Sequence, residues 1–287
     1  MQLSVVIITY NEEANLGRTL ASVAPLVRDG QGEIIVVDSG SADRTVEIAR
    51  QHGAKVFIEP WRGFAAQKNS AIEKASGDWI LSLDADEEPE PKLVQEIDEM
   101  CGQPIDDATS QKGSGGWCLT MERGAATSEP VAFWVSRKNF FLGRWIKHGG
   151  FWPDPKLRLF RRGAAQFENR AVHEDARTRG QTATIYAGYL LHHSYPTLTD
   201  YLEHMNRYSS LGAEMAGSRG FSLINIVLRP LATFIYNYLF RLGFLDGREG
   251  LLLHLYHAAY VSWKYAKAWE LKQSSRESGV RSQQKIS

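Results

Sequence analysis

Short apolar runs that end in polar turns alternate with amphipathic stretches over the first hundred residues. Leu3 to Ile8 is rich in β-branched residues, as expected of a strand buried on both faces. Asn11 then reads as an N-cap for a helix carrying Leu16, Leu20, Val23 and Val27 on one side. A second buried strand, Ile34 to Val37, ends in Asp38. Ser39-Gly40-Ser41 makes a turn, with Ser41 as N-cap of a helix that closes at Gly53. Lys55 to Ile58 is a third strand, and Ala65 to Ala75 a helix with Gly77 just past it. A fourth strand runs to Asp84, and Pro91 opens a helix ending near Gly102. Strands alternating with helices of this length predict a parallel sheet, with ligands at the strands' C-terminal ends. Thr9, Asp38 and Asp84 all fall at such ends.

Further along, residues 103–116 are polar and rich in Gly and Ser, and read as a surface loop. Ile185 to Leu191 is an apolar strand followed by His192 and His193. Phe221 to Phe240 is long enough as a helix to cross a bilayer, at about 1.5 Å per residue. It contains Asn225, Arg229, Pro230 and Asn237, however. An arginine in mid-helix costs about 2.5–3.5 kcal/mol on insertion, so the pattern favours helices lying in the interface. From Leu251 to Trp269, His254, His257, Lys264 and Lys267 gather on one side of a helix. Leu252, Leu255, Ala259 and Trp263 lie towards the other.

The sharpest chemistry is Leu83-Asp84-Ala85-Asp86-Glu87. In an extended chain Asp84 and Asp86 share a face, roughly 7 Å apart. Two carboxylates at the end of a buried strand suit a hard cation such as Mg²⁺ or Mn²⁺, shared with substrate phosphates. An isolated Asp-x-Asp is also the pattern of a solvated acidic turn. The neighbouring loops fit neither a Gly-x-Gly-x-x-Gly dinucleotide loop nor a Walker A loop.

Length, composition and the chain's start add constraints. The 287 residues suffice for one domain with an appendage. Only Cys101 and Cys118 are present, which argues against a disulfide framework and for a reducing compartment. The first strand begins at residue 3 with no basic leader, which predicts no signal peptide. A formal net charge of zero argues against a general nucleic-acid binder. That zero hides an asymmetry: residues 221–287 carry nine Lys/Arg and four Asp/Glu. Basic residues beside aromatics suit an anionic membrane surface, in binding that weakens with salt. The competing reading is a helical cap packed on the rest of the chain.

The run from Ser4 to Glu12, Val36 to Thr45, Gln67-Lys68-Asn69 and Leu83 to Glu87 together resemble the GT-A fold of family 2 glycosyltransferases: a Rossmann-like, mostly parallel sheet flanked by helices. Arg158 to Arg162, Val172-His173-Glu174 and Leu245-Asp246-Gly247 resemble the subgroup containing bacterial lipopolysaccharide core glucosyltransferases. The likeness covers about residues 1–270. It implies an inverting, metal-dependent enzyme that takes a nucleoside-diphosphate sugar, UDP-linked as in UDP-glucose. It further implies a glycolipid acceptor at the inner face of the cytoplasmic membrane. Thr9, Tyr10, Glu12, Asp38 and Lys68 would line the nucleotide pocket, Asp84 would face the ribose or donor, and Asp86 would take the metal. An inverting transfer needs a carboxylate to accept the proton of the attacking hydroxyl. Among Asp154, Glu168, Glu174 and Asp175, the resemblance selects Glu174, with Asp175 as fallback. Arg158, Arg161 and His193 are further candidates for an acceptor or phosphate, and one of the two histidines for a third metal ligand. Trp145 and Trp152 flank Gly149-Gly150, where stacking on a sugar and core packing are both open.

The domain division that follows is a catalytic domain over 1–217, a helical membrane-associating region over 218–272 and a disordered tail over 273–287. Two rivals are a sugar-nucleotidyltransferase, which would carry a Gly-rich basic loop after the first strand, and a non-catalytic membrane adaptor on the same fold.

Overall fold

A computed structural model of the chain describes residues 2–30, 32–102, 129–168, 176–216 and 221–283. Its packing divides into two compact units, Met1–Lys138 with Pro153–His193, and Asn139–Trp152 with Ser194–Ser287.

In the first unit the strands are β1 (Leu3–Thr9), β2 (Gly32–Asp38), β3 (Lys55–Ile58) and β4 (Trp79–Asp84). The helices between them are α1 (Leu16–Val23), α2 (Thr45–Gln51) and α3 (Phe64–Glu73). A short β5 (Glu87–Pro89) and α4 (Pro91–Gly102) follow. β1 lies between β2 and β4, parallel to both. Register does the positioning: Thr9 pairs with Asp38, and Ile8 with Asp84. The three expected residues therefore reach one edge of the sheet.

Alternation along these strands fills two cores. Val5, Ile7, Val36, Leu81 and Leu83 pack with Leu16, Leu20 and Val23 of α1 and Leu93 and Ile97 of α4. Val6, Ile35, Val37 and Ile80 pack on the opposite face with Ala65 and Ala71 of α3. Each large side chain so buried is worth about 1.5–3 kcal/mol. Beyond β4 the sheet turns antiparallel through β8 (Pro155–Arg161), β6 (Ala132–Phe141), β11 (Thr182–Tyr195) and back to β5. A two-residue β7 (Arg144–Trp145) pairs with the end of β6, and β9 (Ala165–Phe167) and β10 (Ala176–Thr178) form a separate antiparallel pair.

Several local expectations change. Asn11 is not a helix cap: it sits at φ 55, its backbone N–H donating to Ser41 Oγ and its Oδ1 accepting from Ala42. Helix α1 starts only at Leu16, and a 3-10 segment, Ala24–Gly30, carries Val27. Ser41 likewise caps nothing, because it is bound back to Asp38. His192 and His193 lie inside β11 rather than after it. The loop at 103–116 and Cys118 lie outside the described residues.

In the second unit, α5 (Leu198–Met215) begins with a capping box in which Thr197 and Asp200 each accept the other's backbone N–H. It packs on α7 (Gly247–Gln283), around Phe141, Ile146, Tyr201 and Leu253. Between them α6 (Arg229–Ile235) is flanked by π-helical turns, Ile224–Leu228 and Tyr236–Phe240. No helix among the described residues is long and apolar enough to cross a membrane. Neither side of α7 read from the sequence is uniformly buried or exposed. His254 is buried with Leu253, Ala258, Tyr265 and Ala268, while Leu251 and Leu255 are exposed. Packing against α5 decides this: Lys267 Nζ is taken by Asn206, Ser209 and Ser210, at 2.6–2.9 Å. Residues 273–283, expected to lack order, continue α7.

Candidate active site

Thr9 and Asp38 close the C-terminal ends of β1 and β2, both buried, with Thr9 Oγ1 donating to Asp38 Oδ2 at 2.8 Å. Asp38 Oδ1 accepts the backbone N–H of Gly40 and Ser41 at 2.9 and 2.8 Å. A buried carboxylate thus braces the turn after β2, with Gly40 at φ 88. Tyr10, next along from β1, is 58% exposed, so it belongs to no core.

β4 ends at Asp84, and residues 85–86 form a turn. The two carboxylates are therefore not neighbours on one strand face. Asp84 is held by cations on both oxygens: Lys68 Nζ lies 2.8 Å from Oδ1 and Arg158 Nη2 2.6 Å from Oδ2. Burial opposes its charge, but Arg158 and Lys68, then Arg137, hold the carboxyl well below the usual carboxylate range. Lys68 projects from α3 and Arg158 from β8, and both are nearly inaccessible.

Behind Asp84 sits Glu87, fully buried. It accepts from Arg158 at 2.6 Å, Arg137 at 3.0 Å and the backbone N–H of Asp84 at 3.0 Å. Arg137 also reaches Asp154 at 2.8 Å. Asp86 faces a different partner, with Oδ2 lying 3.2 Å from His192 Nε2. Burial raises its pKa, yet His192 outweighs this and the carboxyl ends below its ordinary value. His193 pairs with Glu88 at 3.5 Å, and its backbone N–H donates to the carbonyl of Asp86. Burial pushes its imidazole down, with Arg18 adding to the fall. Glu12 is pushed up to about 7, by burial first, with Asp86, Asp43 and Asp84 adding to the rise and Asn15 opposing it.

The structure thus gathers Thr9, Glu12, Asp38, Lys68, Asp84, Asp86 and Arg158 in one unit at the carboxyl ends of the strands. Arg161 is the exception. It pairs with Trp79 at the start of β4, the end away from Asp84, and its guanidinium stacks over the Trp79 ring. Arg158, read as an anion ligand, is instead the buried counter-ion of Asp84 and Glu87. Glu168 is in an ion pair with Arg177 at 2.9 Å, and Asp154 is taken by Arg137 and Lys156. Glu174 and Asp175 lie outside the described residues. Glu87 and Arg137 were missed as individual residues. Their signal was available: an arginine between Val135 and Asn139 on a strand, and a second acid directly after Asp86. Trp145 and Trp152 meet edge to face at 5.3 Å in the second unit.

The chain is similar to known proteins. Residues 4–167 match the family model described as glycosyl transferase family 2. The lipopolysaccharide core biosynthesis glycosyltransferase LpsC of Rhizobium meliloti (strain 1021) is 27% identical, over 93% of this chain and 94% of that one. An uncharacterized glycosyltransferase of Rickettsia felis is 47% identical over 97 residues, 34% of this chain and 33% of the other. The mannosyltransferase PcManGT from Pyrobaculum calidifontis, solved with GDP-Man and Mn²⁺, superposes with a TM-score of 0.51. It is 15% identical, over 93% of this chain and 86% of that one, and so speaks to the fold alone. The nucleotidyltransferase and adaptor readings give way, because a family model spanning more than half of the chain carries the assignment: with its GT-A fold, this chain is a glycosyltransferase and belongs to glycosyl transferase family 2.

Proposed function

We propose that the protein is an inverting, metal-dependent hexosyltransferase. Its donor is a nucleoside-diphosphate sugar, UDP-linked as in UDP-glucose, and its acceptor a glycolipid of the lipopolysaccharide inner-core type. The observation that carries the reading is the turn at Asp84-Ala85-Asp86, where Asp84 is neutralised by Lys68 and Arg158 while Asp86 Oδ2 lies 3.2 Å from His192 Nε2. Likeness to LpsC over nearly the whole chain supports the acceptor class.

No three His, Cys, Asp or Glu side chains among the described residues form a closed metal cage. The residues nevertheless fit Mg²⁺ or Mn²⁺. Asp86 offers oxygen and His192 nitrogen, and Glu12, whose pKa burial raises first and Asp86, Asp43 and Asp84 next, adds acid to the same neighbourhood. Asp84, its oxygens taken by Lys68 and Arg158, serves better as a donor-facing group than as a ligand. When bound, the metal would offset the charge that grows on the leaving diphosphate.

The chain's own residues do the rest. Thr9 and Asp38 brace the turn that backs the nucleotide, and exposed Tyr10 offers its ring to the base. Lys68 and Arg158 hold Asp84 ionised towards the sugar. His193, beside Glu88 and Arg18, remains a candidate for an acceptor phosphate. Glu174, or Asp175 in its place, takes the proton as the acceptor hydroxyl attacks the anomeric carbon, which inverts. Residues 1–217 form the catalytic part, 218–272 associate with the cytoplasmic face of the membrane, and 273–287 are a tail.

The test is transfer from a panel of UDP- and GDP-sugars to inner-core glycolipid, with Mn²⁺ or with EDTA, and with the product's anomeric configuration read by NMR. Transfer that retains configuration, or that proceeds equally well in EDTA, would overturn the mechanism.

A further inference from the structure

From Phe221 to Leu245 the chain contains no Asp or Glu, and Arg229 and Arg241 are its only formal charges. Large apolar side chains on this stretch point to solvent. The density is highest at its end, where Leu239 is 52%, Phe240 75%, Leu242 46%, Phe244 44% and Leu245 50% exposed. A lone exposed leucine needs no explanation, but a contiguous apolar patch marks a docking surface.

These five residues are nearly consecutive and lie on a π-helical turn, a left-handed Leu242 at φ 60 and a 3-10 turn. They therefore do not form one stripe, as a helix seated in a protein groove does. Apolar groups pointing in several directions suit a medium that closes around them from every side. The two arginines and the absence of acids complement an anionic surface. Arg229 reaches the Tyr265 hydroxyl at 3.0 Å, and the Arg241 guanidinium lies over the Tyr236 ring. The basic side of α7, the other candidate, is occupied: His254 is buried and Lys267 is bound to α5.

We propose that Phe221–Leu245 is a wedge that inserts into the headgroup and upper acyl region of an anionic bilayer, with Leu239 to Leu245 deepest. The inference rests on the reading of a glycolipid acceptor at a membrane, and names the surface that brings the enzyme to it. Its attachment is mainly apolar, so it survives salt, unlike binding through the basic face of α7.

The experiment is flotation of the full-length protein with phosphatidylcholine vesicles containing phosphatidylglycerol, at low and at 1 M NaCl. The wild type should float at both, losing no more than about threefold at high salt. A double variant, Leu239→Ser with Phe240→Ser, changes only exposed side chains and should lose at least about tenfold of its binding. Lys267→Gln should float like the wild type. Binding abolished by salt, or a double variant that floats normally, overturns the proposal. So does a protein that ignores vesicles and becomes monomeric only in the double variant, because the face then joins two copies of this chain. Transfer to a short acceptor without acyl chains separates the two readings. The double variant should keep it while losing transfer to vesicle-borne acceptor; a wild type that floats but transfers to neither defeats the proposed function alone.

Discussion

Asp86 Oδ2 lies 3.2 Å from His192 Nε2, joining the turn after β4 to the C-terminal part of β11. The contact follows from register: β5 and β11 run antiparallel, and His192 is paired with Glu87, the residue next to Asp86. A strand far along the chain thus brings an imidazole nitrogen to the carboxylate in the turn.

On this geometry, Asp86→Asn and His192→Ala should each weaken Mn²⁺-dependent UDP-sugar binding by more than the ~10–100-fold typical of second-shell changes at metal sites. Both variants should keep the wild-type circular dichroism spectrum. Calorimetric titration of UDP with and without Mn²⁺ reads the effect, and undiminished metal-dependent binding by Asp86→Asn would exclude it as the ligand.

Glu87 is buried between two arginines and the Asp84 amide. Removing one member of such a cluster leaves uncompensated buried charge, so Glu87→Ala should cost about 3–5 kcal/mol of stability. Urea unfolding measures it. A loss below about 1 kcal/mol would mean that Arg137 and Arg158 find other partners.

Glu12 carries a pKa raised from 4.5 to about 7. Between those values the folded state holds a proton that the unfolded state has released. Its stabilising effect is therefore complete below about pH 4.5 and is lost as pH rises through about 7. Thermal melts of metal-free protein from pH 5 to 8 should show this decline, and Glu12→Gln should flatten it. Equal slopes for variant and wild type would remove Glu12 as the cause.

Loss of the proposed base should separate binding from chemistry. Glu174→Gln should bind donor normally and lose transfer by about 10²–10⁴-fold. If Asp175→Asn shows that pattern and Glu174→Gln does not, the assignment passes to Asp175.

In the second unit, a Cβ on Gly149 would lie 2.0 Å from His254 Cε1, and Gly149 sits at φ 68. Gly149→Ala should destabilise by about 1–3 kcal/mol through crowding and backbone strain. His254→Ala removes the clash but not the strain. The double variant should therefore lose less than the sum of the single losses, and simple additivity would mean that the ring does not set the spacing.

Local pattern alone determined the four parallel strands and the placing of Thr9, Asp38 and Asp84. A strand buried on both faces writes its burial into its own composition, and each strand's end is marked by the polar residue that stops it. The two-carboxylate motif was legible for the same reason, whereas Lys68, on helix α3, was marked only by the resemblance to the family. Tertiary structure decided what those residues touch. Asn11 became a turn residue because Ser41 and Ala42, from the next β–α connection, bind it. Arg158 became a buried counter-ion and Arg161 a distant one. Facing Asp84 or Trp79 depends on antiparallel register between β8 and β4, which neither strand's sequence encodes alone. The buried side of α7 was decided in the same way. Neutral His254 fits a buried or an exposed face about equally by type, and only α5, by satisfying Lys267, settled which side turned inward.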